Sequence, residues 1–231
     1  MKIPKIIHQT WKTNNIPEKC KKWVASWKEK NPDWEYRLWT DEDNRNLIKE
    51  YFPKFLKIYD SYTRPIYRAD IARYCIIYIH GGVYADLDFE CLKPLDELIK
   101  DDNCFFGLEP KEHWNGKHII CNALFGAVPK TDLFVHFLRE IYNRTVRNST
   151  SGKGLRGPVG LTGPKLVTDV LMMKGTKGVK IYRSDVFYPE CAKNDSKIQN
   201  RMMVIKKGQQ KLKNAYATHH WMKSWLKGNK C

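Results

Sequence analysis

Asp86 and Asp88 flank a single leucine directly after the apolar stretch Val83-Tyr84-Ala85. Two carboxylates at i and i+2 behind a short strand can face one hard cation. A divalent ion held by only one or two protein carboxylates keeps coordination positions open, and substrate phosphates fill them. Upstream, Pro65 suits the first turn of a helix, residues 66–79 are almost continuously apolar, and Gly81-Gly82 is a natural stop. Inside that helix Asp70 and Arg73 stand three apart and share a face. Burying charges is costly unless they are paired or used. The two residues are therefore either a structural ion pair or a grip on a polar ligand beside the cation.

The block Asp70-x-x-Arg73, Gly81-Gly82-Val83-Tyr84 and Asp86-x-Asp88 closely resembles the sugar-binding segment of family 32 glycosyltransferases. That family includes initiating mannosyltransferases and globotriaosyl-type galactosyltransferases, and the clostridial toxin glucosyltransferase domains share the block. Three further stretches agree with it. Ile3-Pro4-Lys5-Ile6-Ile7-His8-Gln9-Thr10-Trp11 is similar to the family's opening strand, Thr162-Gly163-Pro164 to its central turn, and His219-His220-Trp221-x-x-Ser224-Trp225 to its closing motif. The resemblance implies a GT-A-type nucleotide-sugar fold and a retaining sugar transfer from a UDP- or GDP-sugar to a glycan or glycolipid acceptor. It also implies Mn²⁺ or Mg²⁺ as cofactor.

On this reading Asp88 coordinates the metal. Asp86 coordinates it directly, acts through water, or binds ribose and sugar hydroxyls. Asp70 and Arg73 hold donor-sugar hydroxyls, or Arg73 also touches the diphosphate, with the guanidinium fork suited to either task. Asn122, an amide between the apolar pairs Ile119-Ile120 and Leu124-Phe125, lies under the sugar or is a satisfied core amide. Thr10 and Trp11 follow the first strand, where a base would dock; Trp11 either stacks on it or belongs to the core. In the tail, His219 rather than His220 completes the metal's shell, one nitrogen among oxygens being suited to Mn²⁺ as well as Mg²⁺. Ser224 and Trp225 cover the diphosphate. The alternative for the tail is an aromatic segment packed on the domain. As nucleophiles, Glu109 and Asp169 are the candidates, although a front-face reaction needs none.

The elements that must position these residues alternate. Strands are expected over residues 3–8, 34–39, 104–108 and 119–128, and another carries Asp86; helices are expected over 18–30, 65–80 and 131–146, with Thr40-Asp41-Glu42-Asp43 capping one more. Such alternation predicts a single α/β domain with a mainly parallel central sheet, residues 1–231, whose ligands bind beyond the carboxyl ends of the strands. Residues 148–160 read as a mobile surface loop and residues 219–231 as an active-site tail. Gly152-x-Gly154-x-x-Gly157 matches the dinucleotide fingerprint but lacks the preceding strand that a phosphate turn requires.

The 231 residues suffice for one full core and carry a formal charge of +16, with seven cysteines. Lysine dominates the charge and is dispersed. Arginine is the better phosphate fork, so this pattern argues against a dedicated nucleic-acid surface. It is a solvated basic surface or an attraction to anionic partners such as phospholipid. An odd cysteine count without C-x-x-C indicates reduced core thiols rather than zinc or disulfides. No segment reaches the roughly 18 apolar residues of a membrane span, and the N-terminus lacks a signal-peptide core. The chain is thus expected to be cytosolic as written, or luminal if excised from an anchored protein. Two rival functions remain: a Mg²⁺-dependent phosphohydrolase using the D-x-D, and a basic binding module without catalysis.

Overall fold

The computed structural model describes residues 2–151, 157–189 and 213–222. In chain order the elements are β1 (Ile6–Thr10), α1 (Glu18–Lys30), β2 (Glu35–Trp39), α2 (Asp41–Tyr51), α3 (Leu56–Ser61), α4 (Pro65–His80), β3 (Gly82–Ala85) and β4 (Phe89–Cys91). They continue with α5 (Asp96–Ile99), β5 (Cys104–Leu108), β6 (Ile120–Ala127), α6 (Asp132–Ser151), α7 (Pro158–Leu161), α8 (Pro164–Lys174), β7 (Lys180–Tyr182), α9 (Ser184–Phe187) and β8 (Ala217–His219).

The central sheet has six strands in the order β2-β1-β3-β6-β5-β7. Pairing is parallel between β1 and β2, β1 and β3, and β5 and β7, and antiparallel on both sides of β6. Every strand except β6 therefore runs the same way, which makes the sheet mainly parallel, as the alternating pattern predicts. A second, two-stranded antiparallel sheet pairs β4 with β8.

Period-2 alternation sends neighbouring residues of each strand into different cores. Tyr84, Phe106 and Phe125 pack with α2, α4, α6 and α8 on one face, while Val83, Phe105 and Leu124 pack with Trp27 of α1 and Phe89 of β4 on the other. Burial of each such ring contributes about 1.5–3 kcal/mol. Helix α4 is apolar nearly all round, and it is accordingly buried from Asp70 through Ile77. Arg64 and Pro65 start it, and Gly81 ends it with φ 66°.

Gly82, at φ 91°, begins β3, and a Cβ there would lie 2.5 Å from the Ile6 carbonyl oxygen. This pair of glycines is what lets the chain leave α4 and enter the sheet beside β1 in so few residues. His8 guards the same corner. Its Nε2 donates to the Gly81 carbonyl at 3.0 Å and its Nδ1 accepts from Trp39 Nε1 at 3.0 Å, so both nitrogens of the neutral ring are used. Burial pulls the imidazole down to about 3, against the opposing pull of the Gly81 carbonyl.

As pH falls below the ordinary value of 6.5 the unfolded chain takes the His8 proton and the folded one does not, so stability is present at neutral pH and is lost on acidification. Between pH 7 and 5 the expected loss from this one group is about 2 kcal/mol. Urea unfolding of wild type and His8→Gln at both pH values checks it. The same pH slope in both proteins would rule out this role for His8.

Several sequence expectations shift. The first strand runs over Ile6–Thr10 rather than 3–8, because Pro4 and Lys5 precede the ladder to β2. The strand before the D-x-D ends at Ala85, leaving Asp86 and Asp88 in the turn between β3 and β4. Helix α6 runs to Ser151, past the expected 146, and α7 occupies Pro158–Leu161, so the ends of the expected 148–160 loop are helical. Residues 152–156, with the glycines of the fingerprint match, lie outside the described residues except Gly157, which precedes α7. Cys20, Cys75, Cys91, Cys104 and Cys121 are buried thiols outside any disulfide, and Cys191 and Cys231 lie outside the described residues. Among the described residues no helix is long and apolar enough to cross a membrane.

Candidate functional site

The chain leaves β1 toward β2 on one side while β3 lies on the other, and the crevice at such a switch point is where open α/β sheets bind ligands. A cleft of about 690 Å³ opens there, at the carboxyl ends of β1, β3 and β5. Thr10, Trp11, Asp70, Arg73, Asp86, Asp88, Asn122 and His219 all line it, as does Glu109. The structure thus gathers residues more than 200 positions apart in sequence.

Asp86 and Asp88 meet His219 at the end of β8, and ligand atoms of the three lie within 4.8 Å of one another. The β4–β8 ladder makes this possible by pairing Phe89 with His219. His220 N donates to the Asp88 carbonyl at 2.9 Å, Met222 N donates to Asp88 Oδ2 at 2.8 Å, and His219 Nε2 sits 3.1 Å from Asp88 Oδ1. The His219 ring stacks on Phe89 with centroids 4.5 Å apart. His220 points elsewhere: its Nε2 lies 2.8 Å from Glu90 and its ring stacks on Trp23.

Burial raises the Asp88 carboxyl, but the His219 charge and hydrogen bond, with the Met222 amide, overcome it and hold the group at about 2. Burial likewise pushes Asp86 up, against Arg73. Against its burial, Asp88 in turn raises the His219 imidazole, and two acids and an imidazole at this spacing fit a divalent cation whose binding would displace the His219 proton.

Behind these acids lies a fully satisfied polar network. Thr10 donates to the Tyr84 hydroxyl at 2.9 Å, and Tyr84 donates on to Asp86 Oδ1 at 2.9 Å. Gln9 Nε2 donates to the Asp86 carbonyl at 3.1 Å, and Gln9 Oε1 accepts from Tyr36. Arg73 Nη2 reaches Asp86 Oδ1 at 3.1 Å and Asp70 Oδ1 at 3.3 Å, while Nη1 donates to the Asn122 carbonyl at 2.7 Å. Asp70 also accepts from Asn122 Nδ2 at 2.9 Å and from the Thr162 hydroxyl at 2.6 Å.

Asp70 and Arg73 are each only 3% exposed, so the alternatives of structural ion pair and ligand grip merge. The pair is buried and networked, and it forms the cleft floor. Burial raises the Asp70 carboxyl despite Arg73 beside it, and it opposes Asp86, Tyr84, Asp70 and Tyr74, which nonetheless hold the Arg73 guanidinium above its ordinary value.

Of the remaining expected residues, Trp11 is partly buried against the small core of Cys20, Trp23, Val24 and Leu87, while still lining the cleft. Asp169 is not in the cleft lining; Arg144 and Lys165 hold it on α8 at 3.1 and 2.8 Å. Ser224 and Trp225 lie outside the described residues, as does the tail beyond Met222. Gln9, Tyr84 and the backbone of Met222 escape a sequence reading. Gln9 and Tyr84 sit inside motifs already quoted, but nothing in their residue types announces that they brace Asp86.

Residues 17–105 match the family described as a glycosyltransferase sugar-binding region containing a DXD motif. Over 100 residues the chain is 55% identical to inositol phosphoceramide mannosyltransferase 3 of Schizosaccharomyces pombe, a match covering 42% of this chain and 27% of that protein. Over 139 residues it is 40% identical to a mannosyl phosphorylinositol ceramide synthase of Saccharomyces cerevisiae, covering 60% of this chain and 35% of the relative. The chain therefore spans about a third or less of the length of these curated relatives. The fold is that of the PaToxG glycosyltransferase, at TM-score 0.54 and 18% identity over 91% of this chain and 79% of the other. Residues 17–105 thus resemble a DXD-containing glycosyltransferase sugar-binding region, set in a chain whose fold is of the GT-A type.

Proposed function

We propose that this chain is the catalytic domain of a divalent-metal-dependent, retaining hexosyltransferase that uses a nucleoside diphosphate sugar, UDP- or GDP-linked, as donor. The observation that carries the reading is the meeting of Asp86, Asp88 and His219 at the floor of the cleft. Mn²⁺ or Mg²⁺ held by these three would act as a Lewis acid on the departing diphosphate. Thr10 and Trp11, at the end of β1, receive the nucleoside. Asp70, Arg73 and Asn122 form the floor on which the donor sugar lies, and their mutual bonds fix its orientation before it arrives, so little reorganisation is left for the reaction.

The phosphohydrolase alternative needs Asp86 as a free nucleophile. Here its Oδ1 already takes Tyr84 and Arg73, which favours the transferase.

Mannose as the hexose and an inositol-phosphoryl lipid as the acceptor are the more specific reading, supported by the names of the relatives. The charge of +16 suits a partner carrying a phosphodiester at an anionic surface. Incubation with Mn²⁺, GDP-mannose or UDP-hexoses, and an inositol phospholipid should yield a lipid heavier by one hexose in mass spectrometry. Absence of a glycosylated lipid with every donor would reject the acceptor assignment.

A further inference from the structure

Glu109 is a carboxylate that the donor machinery leaves unused. It is 6% exposed, lies just past the end of β5, and lines the cleft. Trp114 Nε1 donates to its Oε2 at 2.7 Å, and His113 Nδ1 sits 3.5 Å from the same oxygen. Both partners come from the single 3₁₀ turn at Lys111–Trp114, so a short local segment aims and holds the acid. The aromatic wall beside it is continuous. His113 meets Trp221 edge-on at 4.6 Å, and Trp221 lies 4.1 Å from the His219 ring. Trp221 occupies this place with φ 52°, a left-handed backbone uncommon for a bulky residue.

Sheet order gives this corner its meaning. Thr10 ends β1, the D-x-D follows β3, and Glu109 follows β5, all at the same end of the sheet and in the spatial order β1-β3-β6-β5. A donor whose nucleoside lies at β1 and whose diphosphate lies at Asp86 and Asp88 leaves the β5 side of the cleft for the acceptor. An anchored carboxylate accepts hydrogen bonds from hydroxyls, and charge makes those bonds stronger than neutral ones. Rings at the same corner offer an apolar surface to the C–H face of a saturated ring. We propose that Glu109, with His113, Trp114 and Trp221, forms the acceptor subsite and that it binds a cyclic polyol. Glu109 receives the polyol's hydroxyls, and Trp114 is a positioning residue that fixes the carboxylate.

This subsite deepens the transferase reading and rests on it, but its test is separable. The cyclic polyol could be an inositol headgroup or the sugar ring of a glycan, so two probes are used: glycerophosphoinositol and methyl α-mannoside, with glycerophosphocholine as the control lacking a polyol ring. Binding of each is measured by calorimetry to wild type, Glu109→Gln and Trp114→Phe in the presence of Mn²⁺ and nucleoside diphosphate. At least one polyol should bind wild type, should bind Glu109→Gln at least tenfold more weakly, and should bind Trp114→Phe severalfold more weakly. Nucleoside diphosphate affinity should stay within twofold in both variants, which also reports that they are folded. Equal polyol binding in wild type and Glu109→Gln, or equal binding of the choline control, would overturn the subsite. Should Glu109→Gln fail to fold, unchanged polyol affinity in Trp114→Phe would overturn it instead. Failure of the transferase reading shows separately, as absence of Mn²⁺-dependent nucleoside diphosphate binding in wild type.

Discussion

Asp88→Asn is expected to abolish metal-dependent donor turnover while leaving the protein folded. The substitution preserves shape, and the amide oxygen can still accept the Met222 N–H that now reaches Asp88 Oδ2 at 2.8 Å. What it removes is the charge that faces His219 and, with Asp86, gives the cleft its divalent-cation set. A metal that stabilises developing charge on the leaving diphosphate is worth several kcal/mol, so turnover should fall by about a thousandfold or more. Mn²⁺-dependent nucleotide affinity should fall by at least about a hundredfold, since a ligand itself is lost rather than one of its supports. Kinetics and calorimetry on the same preparation, with circular dichroism to verify folding, give both values. Turnover within severalfold of wild type would remove Asp88 from the metal site.

The second large effect is expected at Arg73. Arg73→Lys keeps the charge but loses the planar fork. One guanidinium nitrogen now bridges Asp70 and Asp86 while the other holds the Asn122 carbonyl, and a lysine ammonium cannot span all three. Loss of charged hydrogen bonding at ~2–3 kcal/mol corresponds to a drop of roughly thirty- to two-hundredfold in donor turnover. On sequence alone Arg73 is a sugar clamp, and nucleotide binding would change little when it is replaced. The bond to Asp86 alters that expectation: with the first acid of the D-x-D loosened, Mn²⁺-dependent nucleotide affinity should fall as well, by about tenfold. Melting temperature should also drop, because the variant leaves buried acids poorly paired. Turnover near wild type would reject the network; a large loss of turnover with unaltered nucleotide affinity would restore the simple clamp.

The parts of this molecule legible in its sequence are those fixed by local chemistry. Helix α4 shows in the sequence because Pro65, a continuous apolar run and Gly81 state its start, burial and stop within seventeen residues. The capping box of α2, Thr40 with Asp43, is equally local and is present. The D-x-D stands out because two acids follow a strand too short and apolar to need them.

What stayed hidden depends on partners distant in sequence. No local pattern in Ala217-Thr218-His219 says that it will pair with Phe89-Glu90-Cys91, yet that ladder is what carries His219 to Asp88 and turns His220 away. Gln9 and Tyr84 read as ordinary strand residues until Asp86 is seen between them. In sequence Glu109 reads only as a candidate nucleophile on a par with Asp169, and its burial against Trp114 is what separates it from Asp169, which is tied up in ion pairs on α8. The helical ends of the 148–160 segment are not legible because serine, glycine and lysine composition argues for loop, while burial of Pro158 and Leu161 anchors α7.

The most direct test of the central claim is release of nucleoside diphosphate from a panel of UDP- and GDP-sugars, followed with Mn²⁺ and again after EDTA, for wild type and Asp88→Asn. Wild type with Mn²⁺ should release nucleoside diphosphate from at least one donor, the release should disappear in EDTA, and Asp88→Asn should show none under either condition. Release that persists undiminished in EDTA, or no release from any nucleotide sugar by the folded wild-type protein with Mn²⁺, would contradict it.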